Sequence, residues 1–285
     1  MKKIGIILNL SARRASQLDV NDIYKTINKT LPDATIYKVE GDIQDSVDLA
    51  IKDGCNVLCG GGGDGTISAV ATTCAKKGIV LGILPLGTLN NFSKDVGISQ
   101  SLTGACKIIK AGKTSKIDYA TVNDQLFLNN SSVGAYAKFV RERERYQASH
   151  GKMWAYLIGL LSYIPKFKTL DLTLDYDGKK QIVQTPIVFV SNNNYSITQK
   201  PFMRRNTLSG GELSVHIVKR SHKHSVKNLF LLNKLKHNYT SFTTKHITIH
   251  ADAQKATIAK DGEVIPAKLP LHYEMHNKAL TIIVP

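Results

Sequence analysis

Residues 57–66 run from an apolar strand ending, Val57-Leu58-Cys59, into Gly60-Gly61-Gly62-Gly63-Asp64-Gly65-Thr66. Glycines after a strand let the backbone turn sharply and let a ligand approach its N–H groups. A helix opening at Thr66 adds unpaired N–H groups and a positive dipole end on the same side. That combination suits a phosphate. The alternative is a turn whose glycines serve only close packing. Gly60, Gly62 and Gly65 satisfy the spacing of a dinucleotide-binding turn, but the next strand, Ile79–Leu84, ends in Pro85 with no carboxylate to hold a ribose. A P-loop is excluded because Thr66 follows Gly65 with no lysine between them.

Other reactive side chains are sparse. Cys55, Cys59, Cys74 and Cys106 form no C-x-x-C pair and have no histidine nearby, so they read as buried small hydrophobes in a reducing cytoplasm. His222-x-His224 lacks the third ligand a metal needs.

The elements that must position the glycine loop alternate along the first 118 residues. Lys3–Leu10, Ala34–Val39, 56–59 and 79–84 read as strands, and 16–30, 43–52, Thr66–Lys77 and a segment from Ser99 to Ala111 as helices. Repeated βα units with apolar strands imply a doubly wound parallel sheet, with ligands beyond the carboxyl ends of its strands. The Gly60–Thr66 and Pro85–Asn91 loops both follow strands and should share one crevice. From Ile117 onward strand patterns dominate: Tyr119–Val122, Leu126–Asn129, Leu170–Tyr176, Gln181–Ser191, Leu213–Val218, His246–Ile249, Ala256–Ala259 and Leu280–Val284, with a hairpin turn at Asp177-Gly178. Helices are expected at 135–145, continuing toward Tyr163, and at 225–235. This half reads as an antiparallel second domain.

Composition narrows the function classes. A hydrophobic fraction of 42% and a charged fraction of 21% are those of an ordinary globular protein, and 285 residues suffice for two domains. No secretory leader is read at Met1-Lys2-Lys3, and the longest apolar stretch, Met153 to Ile164, falls short of the roughly 20 residues a bilayer span needs. Net charge is +16, and it is uneven: residues 1–118 carry 15 basic and 11 acidic side chains, residues 119–285 carry 23 and 11. A basic second half attracts anionic lipid or nucleic acid. Neither basic residues interleaved with aromatics nor a basic recognition helix stands out, so no nucleic acid is expected. The acid-free run Lys219–Lys227 suits anionic headgroups. Lys138–Arg145 reads as a solvated helix face and Met153–Ile158 as core.

Gly62-Gly63-Asp64-Gly65-Thr66, then Leu84-Pro85-Leu86-Gly87-Thr88-Leu89-Asn90-Asn91-Phe92, and Asp261-Gly262-Glu263 near the end together resemble the diacylglycerol kinase catalytic-domain family, in particular the soluble bacterial lipid kinases related to sphingosine and ceramide kinases. Asn9 at the end of the first strand and Lys116-Ile117-Asp118 also fit. The likeness spans essentially the whole chain. It implies an NAD kinase/diacylglycerol kinase-like α/β domain for ATP over 1–118, with 277–285 returning to it, and an antiparallel β-sandwich lipid domain over 119–276. The implied reaction moves the ATP γ-phosphoryl group to a lipid hydroxyl with Mg²⁺, diacylglycerol to phosphatidate being the leading case. By the same resemblance Asn9, Gly62, Gly63, Asp64, Gly65, Thr66, Thr88 and Asn90 hold the nucleotide. Asp64 and Asp118 contact the metal through water, and Asp261 and Glu263 are the candidate general base. The other reading of that pair is a charged hairpin.

Two positions depart from the family pattern. Asn91 stands where the second loop commonly has aspartate, and Gly210 stands where a structural-metal aspartate is expected, with Glu212 as a possible substitute. The alternatives left open are a kinase of a sphingoid base, of ceramide or of NAD, and a non-catalytic lipid or nucleotide sensor. The expected setting is cytoplasmic, with peripheral contact to an anionic membrane surface.

Overall fold

The computed structural model describes residues 2–11, 19–134, 169–197, 203–205, 207–218 and 239–285. The expected helices at 135–145 and 225–235, the charged run 138–145, the apolar run 153–158 and the basic run 219–227 lie outside them. The chain divides into two compact units: Met1–Tyr119 with Asn277–Pro285, and Ala120–His276.

The first unit alternates strand and helix: β1 (Ile4–Leu8), α1 (Val20–Thr30), β2 (Thr35–Lys38), α2 (Ile43–Lys52), β3 (Val57–Gly62), α3 (Asp64–Lys77), β4 (Val80–Pro85), α4 (Asn91–Val96), α5 (Leu102–Ala111) and β5 (Thr114–Val122). Strands pair in parallel in the order β2-β1-β3-β4, and Ile282 of the chain's last strand adds in parallel beside Leu81. The strands are apolar on both faces because helices cover them. Ile6, Ile7, Leu58, Cys59, Leu81 and Ile83 are all buried, together with Ile23 and Ile27 of α1 and Ile67, Val70 and Ala71 of α3. The helices start on side-chain caps where the sequence provides them, at Asp19, Asp42 and Ser101. Helices α3 and α5 stop at Gly78 and Gly112, each left-handed. All four cysteines are free and buried within this unit; burial pushes the Cys74 thiol up to about 12 and that of Cys106 to about 11. They pack as hydrophobes.

The second unit is antiparallel. Its strands are β6 (Gln125–Phe127), β7 (Asn130–Gly134), β8 (Leu170–Tyr176), β9 (Lys179–Thr185), β10 (Ile187–Asn192), β11 (Tyr195–Ile197), β12 (Met203–Arg205), β13 (Leu213–Val218), β14 (Tyr239–Thr244), β15 (His246–Ala251), β16 (Lys255–Lys260), β17 (Glu263–Lys268) and β18 (Leu271–Ile283), whose end belongs to the first unit. One sheet runs β14-β13-β10-β7-β16-β17 and the other contains β18-β15-β8-β9. Alternate residues of both sheets meet in a single core: Val188, Val190 and Val215 from one, Leu172, Leu174, Ile249 and Tyr273 from the other. The Phe127 and Tyr273 rings pack edge to face at 6.2 Å.

The architecture is thus the parallel α/β sheet and the antiparallel second half that the sequence patterns imply, the latter built as the sandwich that the family resemblance implies. Its details differ at definite places. Strand β3 runs through the glycines to Gly62 instead of ending at residue 59, and α3 begins at Asp64, two residues before Thr66. The segment 181–191 is two strands, because Pro186 has no N–H to continue a ladder. The six-residue helix α4 was not expected, and α5 starts on Ser101, not Ser99. Strands β14 and β17 were also missed; both are sheet edges, and β17 contains Pro266.

Candidate functional site

In the first unit the site grows from the end of β3. Gly61 accepts the Asn9 N–H at 2.8 Å and Gly62 accepts that of Leu86 at 3.0 Å, so β3 stays laddered as far as its last glycine. The glycines are needed because α3 starts on top of them. A Cβ on Gly62 would lie 2.5 Å from the Thr66 Oγ1, and one on Gly60 3.2 Å from the Ile67 Cα. Helix α3 begins on Gly63, which offers no side-chain cap, and its first backbone bond runs from Ile67 N–H to Gly63 O. The preceding N–H groups and the positive helix end therefore face outward, as an anion site requires. Asn9 donates to the Thr66 Oγ1 at 3.1 Å and accepts from the Ser11 N–H and Oγ, which fixes the floor of this turn.

The second loop meets the first backbone to backbone. A Cβ on Gly87 would fall 2.5 Å from the Gly63 Cα and 2.8 Å from the Asn90 Oδ1. Asn90 itself is 1% exposed and left-handed at φ 51. Its Nδ2 donates to Pro85 O (3.4 Å) and the Gln100 Oε1 (3.2 Å), while its Oδ1 has no partner among the described residues. A buried carbonyl oxygen without a donor marks a place where a ligand N–H or O–H would be welcome. Thr88 is exposed at the loop tip.

Asp64 joins the two loops. Its Oδ2 accepts the Asn91 N–H and its Oδ1 the Phe92 N–H, each at 3.1 Å, so the carboxylate caps α4 across 27 and 28 residues of sequence. Gly62, Gly63, Asp64, Gly65, Thr66, Thr88 and Asn90 thus belong to one pair of touching loops, and Asn9, at the end of β1, bonds to the first of them. Asp118 is elsewhere in the unit. It is fully buried on β5 and accepts the N–H of Lys278 at 2.6 Å, where Lys278 is left-handed at φ 50.

In the second unit Asp261-Gly262 forms the two-residue turn between β16 and β17, with φ of 48° and 90° and Lys260 paired to Glu263. These are type I′ values, which favour Asp-Gly. The Asp261 carboxylate accepts three backbone donors: Leu128 N–H on Oδ2 (2.8 Å), and Asn129 N–H (2.8 Å) and Asn130 N–H (3.3 Å) on Oδ1. Glu263 is exposed, and no described residue bonds its carboxylate.

A phosphate-bearing nucleotide fits the first unit's loops: the open α3 start and the unpartnered Asn90 Oδ1 are both groups a ligand would satisfy. Magnesium fits only in part. The Asp64 carboxylate lies in these loops, where it accepts the Asn91 and Phe92 N–H groups, and its charge suits a metal-bound water. Asp118 is fully buried and accepts the Lys278 N–H. The described residues contain no group of three His, Cys, Asp or Glu that could hold a metal. At Gly210 a Cβ would lie 2.7 Å from the Asn193 Oδ1, and the Glu212 side chain is exposed while its backbone oxygen accepts the Asn193 N–H. A structural metal does not fit there.

One polar cluster escaped the sequence reading. Arg205, 7% exposed, donates through Nη2 to Leu128 O, the Asn129 Oδ1 and the Tyr195 hydroxyl. Asn192 donates to the same Leu128 oxygen. These residues lie up to 77 positions apart, so no local pattern announces them.

Residues 3–122 match the Diacylglycerol kinase catalytic domain family. A diacylglycerol kinase of Staphylococcus aureus (strain JH9) is 25% identical over 287 residues, covering 96% of this chain and 91% of that protein. A solved diacylglycerol kinase structure from Bacillus anthracis str. Sterne superposes with a TM-score of 0.71 at 20% identity, over 100% of this chain and 97% of the other. A second structure from that organism reaches 0.78 at 22% identity, over 100% and 98%, and both establish the likeness of fold. Residues 3–122 thus match the diacylglycerol kinase catalytic domain, and the similarity to a protein named diacylglycerol kinase extends over 96% of the chain.

Proposed function

We propose that the protein is an ATP-dependent lipid kinase that transfers the γ-phosphoryl group to a lipid hydroxyl, with diacylglycerol as acceptor and phosphatidate as product. The observation that carries this reading is the pair of touching loops: an uncapped α3 start at Gly63 held against Gly87, beside the buried Asn90 Oδ1. The backbone N–H groups of 64–66 hold phosphate oxygens, Asn9 and Thr66 fix the floor, and Asn90 and Thr88 orient the nucleotide. Phosphoryl transfer asks a protein mainly for such positioning and charge stabilisation. Magnesium arriving with ATP would neutralise phosphate charge, and Asp64 would hold one of its waters. The acceptor oxygen bonds to the γ-phosphorus, the bridging oxygen leaves with ADP, and the hydroxyl proton passes to a carboxylate of the Asp261-Gly262-Glu263 turn.

The second unit, with the sandwich core, is proposed as the lipid domain. No described helix is long and apolar enough to cross a membrane, and the basic excess in 119–285 favours peripheral docking on anionic headgroups. The test is transfer from labelled ATP to a panel of acceptors: diacylglycerol, a sphingoid base, ceramide and NAD. Label in diacylglycerol above the others is expected. Label in another acceptor reassigns the substrate, and tight ATP binding with no transfer to any acceptor indicates a sensor.

A further inference from the structure

We propose that Gln100 is a positioning residue: it turns the buried Asn90 amide so that the Asn90 Oδ1 accepts a ribose hydroxyl of the bound nucleotide. This inference rests on the nucleotide site proposed above and involves residues of the first unit alone.

Main-chain carbonyls fix the orientation of both amides. One end of an amide side chain donates and the other accepts, whereas a carbonyl oxygen only accepts. Ile98 O lies 2.9 Å from the Gln100 amide, so the end facing it is Nε2, which also reaches the Ser93 Oγ at 3.0 Å. That hydroxyl is able to accept because its own hydrogen goes to Asn90 O, 3.0 Å away. The other end of Gln100, Oε1, therefore faces Asn90, and only the Asn90 Nδ2 can meet it, at 3.2 Å. Pro85 O, 3.4 Å from the same nitrogen, selects the same orientation. Asn90 is left with its Oδ1 as the free end of this chain of bonds.

That oxygen is held in place. Asn90 is 1% exposed and left-handed, and its backbone oxygen also accepts the Lys94 N–H at 3.1 Å. Its Oδ1 has no partner among the described residues. It lies beside Gly87, whose added Cβ would come within 2.8 Å of it and 2.5 Å of the Gly63 Cα. The acceptor thus sits next to the contact between two residues without side chains, at the start of α3, where the phosphates are proposed to bind. A buried acceptor is costly to leave unpaired, so a ligand that fits here brings a donor. Ionised phosphate oxygens have none. The O–H donors of ATP nearest its phosphates are the ribose hydroxyls, and the amino group of the base lies beyond the sugar.

The test measures, by calorimetry on the full chain with magnesium, the affinities of ATP and of its 2′-fluoro and 3′-fluoro deoxyribose analogues. Fluorine is close to a hydroxyl in size and cannot donate. One of the two analogues should bind the wild-type chain about tenfold more weakly than ATP, because the Asn90 Oδ1 then faces another acceptor. Gln100→Glu keeps an oxygen toward Asn90 but loses the bonds to Ile98 O and the Ser93 Oγ; it should lower Tm and retain the gap. Gln100→Lys presents a donor, so Asn90 turns its Nδ2 to the ligand, and the gap should close to within about twofold. A residue that only held the loop would shift Tm and all three affinities together and leave the gap unchanged in both variants. The inference is overturned if neither analogue binds the wild-type chain more weakly than ATP, or if the gap persists in Gln100→Lys. Transfer to lipid is scored separately. Transfer without a hydroxyl preference overturns this inference alone, a hydroxyl preference without transfer to any acceptor overturns the kinase reading alone, and a chain that binds no ATP overturns both.

Discussion

Gly87→Ala is the substitution whose effect can be worked most directly from the loops. The new Cβ would sit 2.5 Å from the Gly63 Cα, against about 3.4 Å for the closest ordinary contact, a shortfall of about 0.9 Å. The obstacle is backbone, so no rotamer relieves it; the Pro85–Asn91 loop and the α3 start must separate. Overpacking of this kind costs about 1–3 kcal/mol. For a chain of this size that lowers Tm by roughly 2–4 °C per kcal/mol. Separation of the loops by about 1 Å would also weaken nucleotide binding and cost about 100-fold in turnover. The matched control is Gly63→Ala, whose Cβ would face the same gap from the other side, 3.6 Å from the Gly87 Cα, at an ordinary φ of −83°. Calorimetry with a non-hydrolysable ATP analogue, together with thermal unfolding, should show Gly87→Ala impaired and Gly63→Ala with near wild-type Tm. Equal stability and equal ATP affinity in the two variants would refute the touching-loop arrangement.

Other perturbations follow from single contacts. Asp64→Ala removes the cap on α4, and thermal unfolding should show a loss of about 0.5–2 kcal/mol; no loss would mean that the Asn91 and Phe92 bonds carry nothing. Lys278→Gly relieves a left-handed residue while keeping the N–H that Asp118 accepts, so denaturant unfolding should show a gain of about 1 kcal/mol. His216 is kept neutral by desolvation and lies 3.0 Å from the Ser214 Oγ, with its folded pKa below the ordinary 6.5. The unfolded chain therefore binds the proton more readily, and stability present above about pH 6.5 falls as pH drops below it. His216→Gln should flatten that decline in Tm measured between about pH 7.5 and 5.5; an unchanged slope would exclude His216 as its source.

The glycine loop was legible in the sequence because its signal is local: strand residues, glycines and a polar helix start follow one another directly. Much of what shapes it is not local. That Asp64 caps α4 depends on a contact across 27 residues, and α4 is too short for periodicity to reveal it. Asp261-Gly262 could be read as a turn, yet its bonds to Leu128–Asn130 cross more than 130 residues. The edge strand β17 was hidden by Pro266 and by its polar ends, which suit an edge but break the strand pattern. Arg205 sits in a three-residue strand whose sequence gives no hint of the carbonyls it serves.

The most direct test of the central claim is phosphorus NMR of a reaction containing the wild-type chain, ATP, magnesium and diacylglycerol in mixed micelles. The account predicts a new phosphate monoester resonance in the lipid fraction, growing in step with ADP. ADP accompanied only by inorganic phosphate, or bound ATP with no turnover, would contradict it.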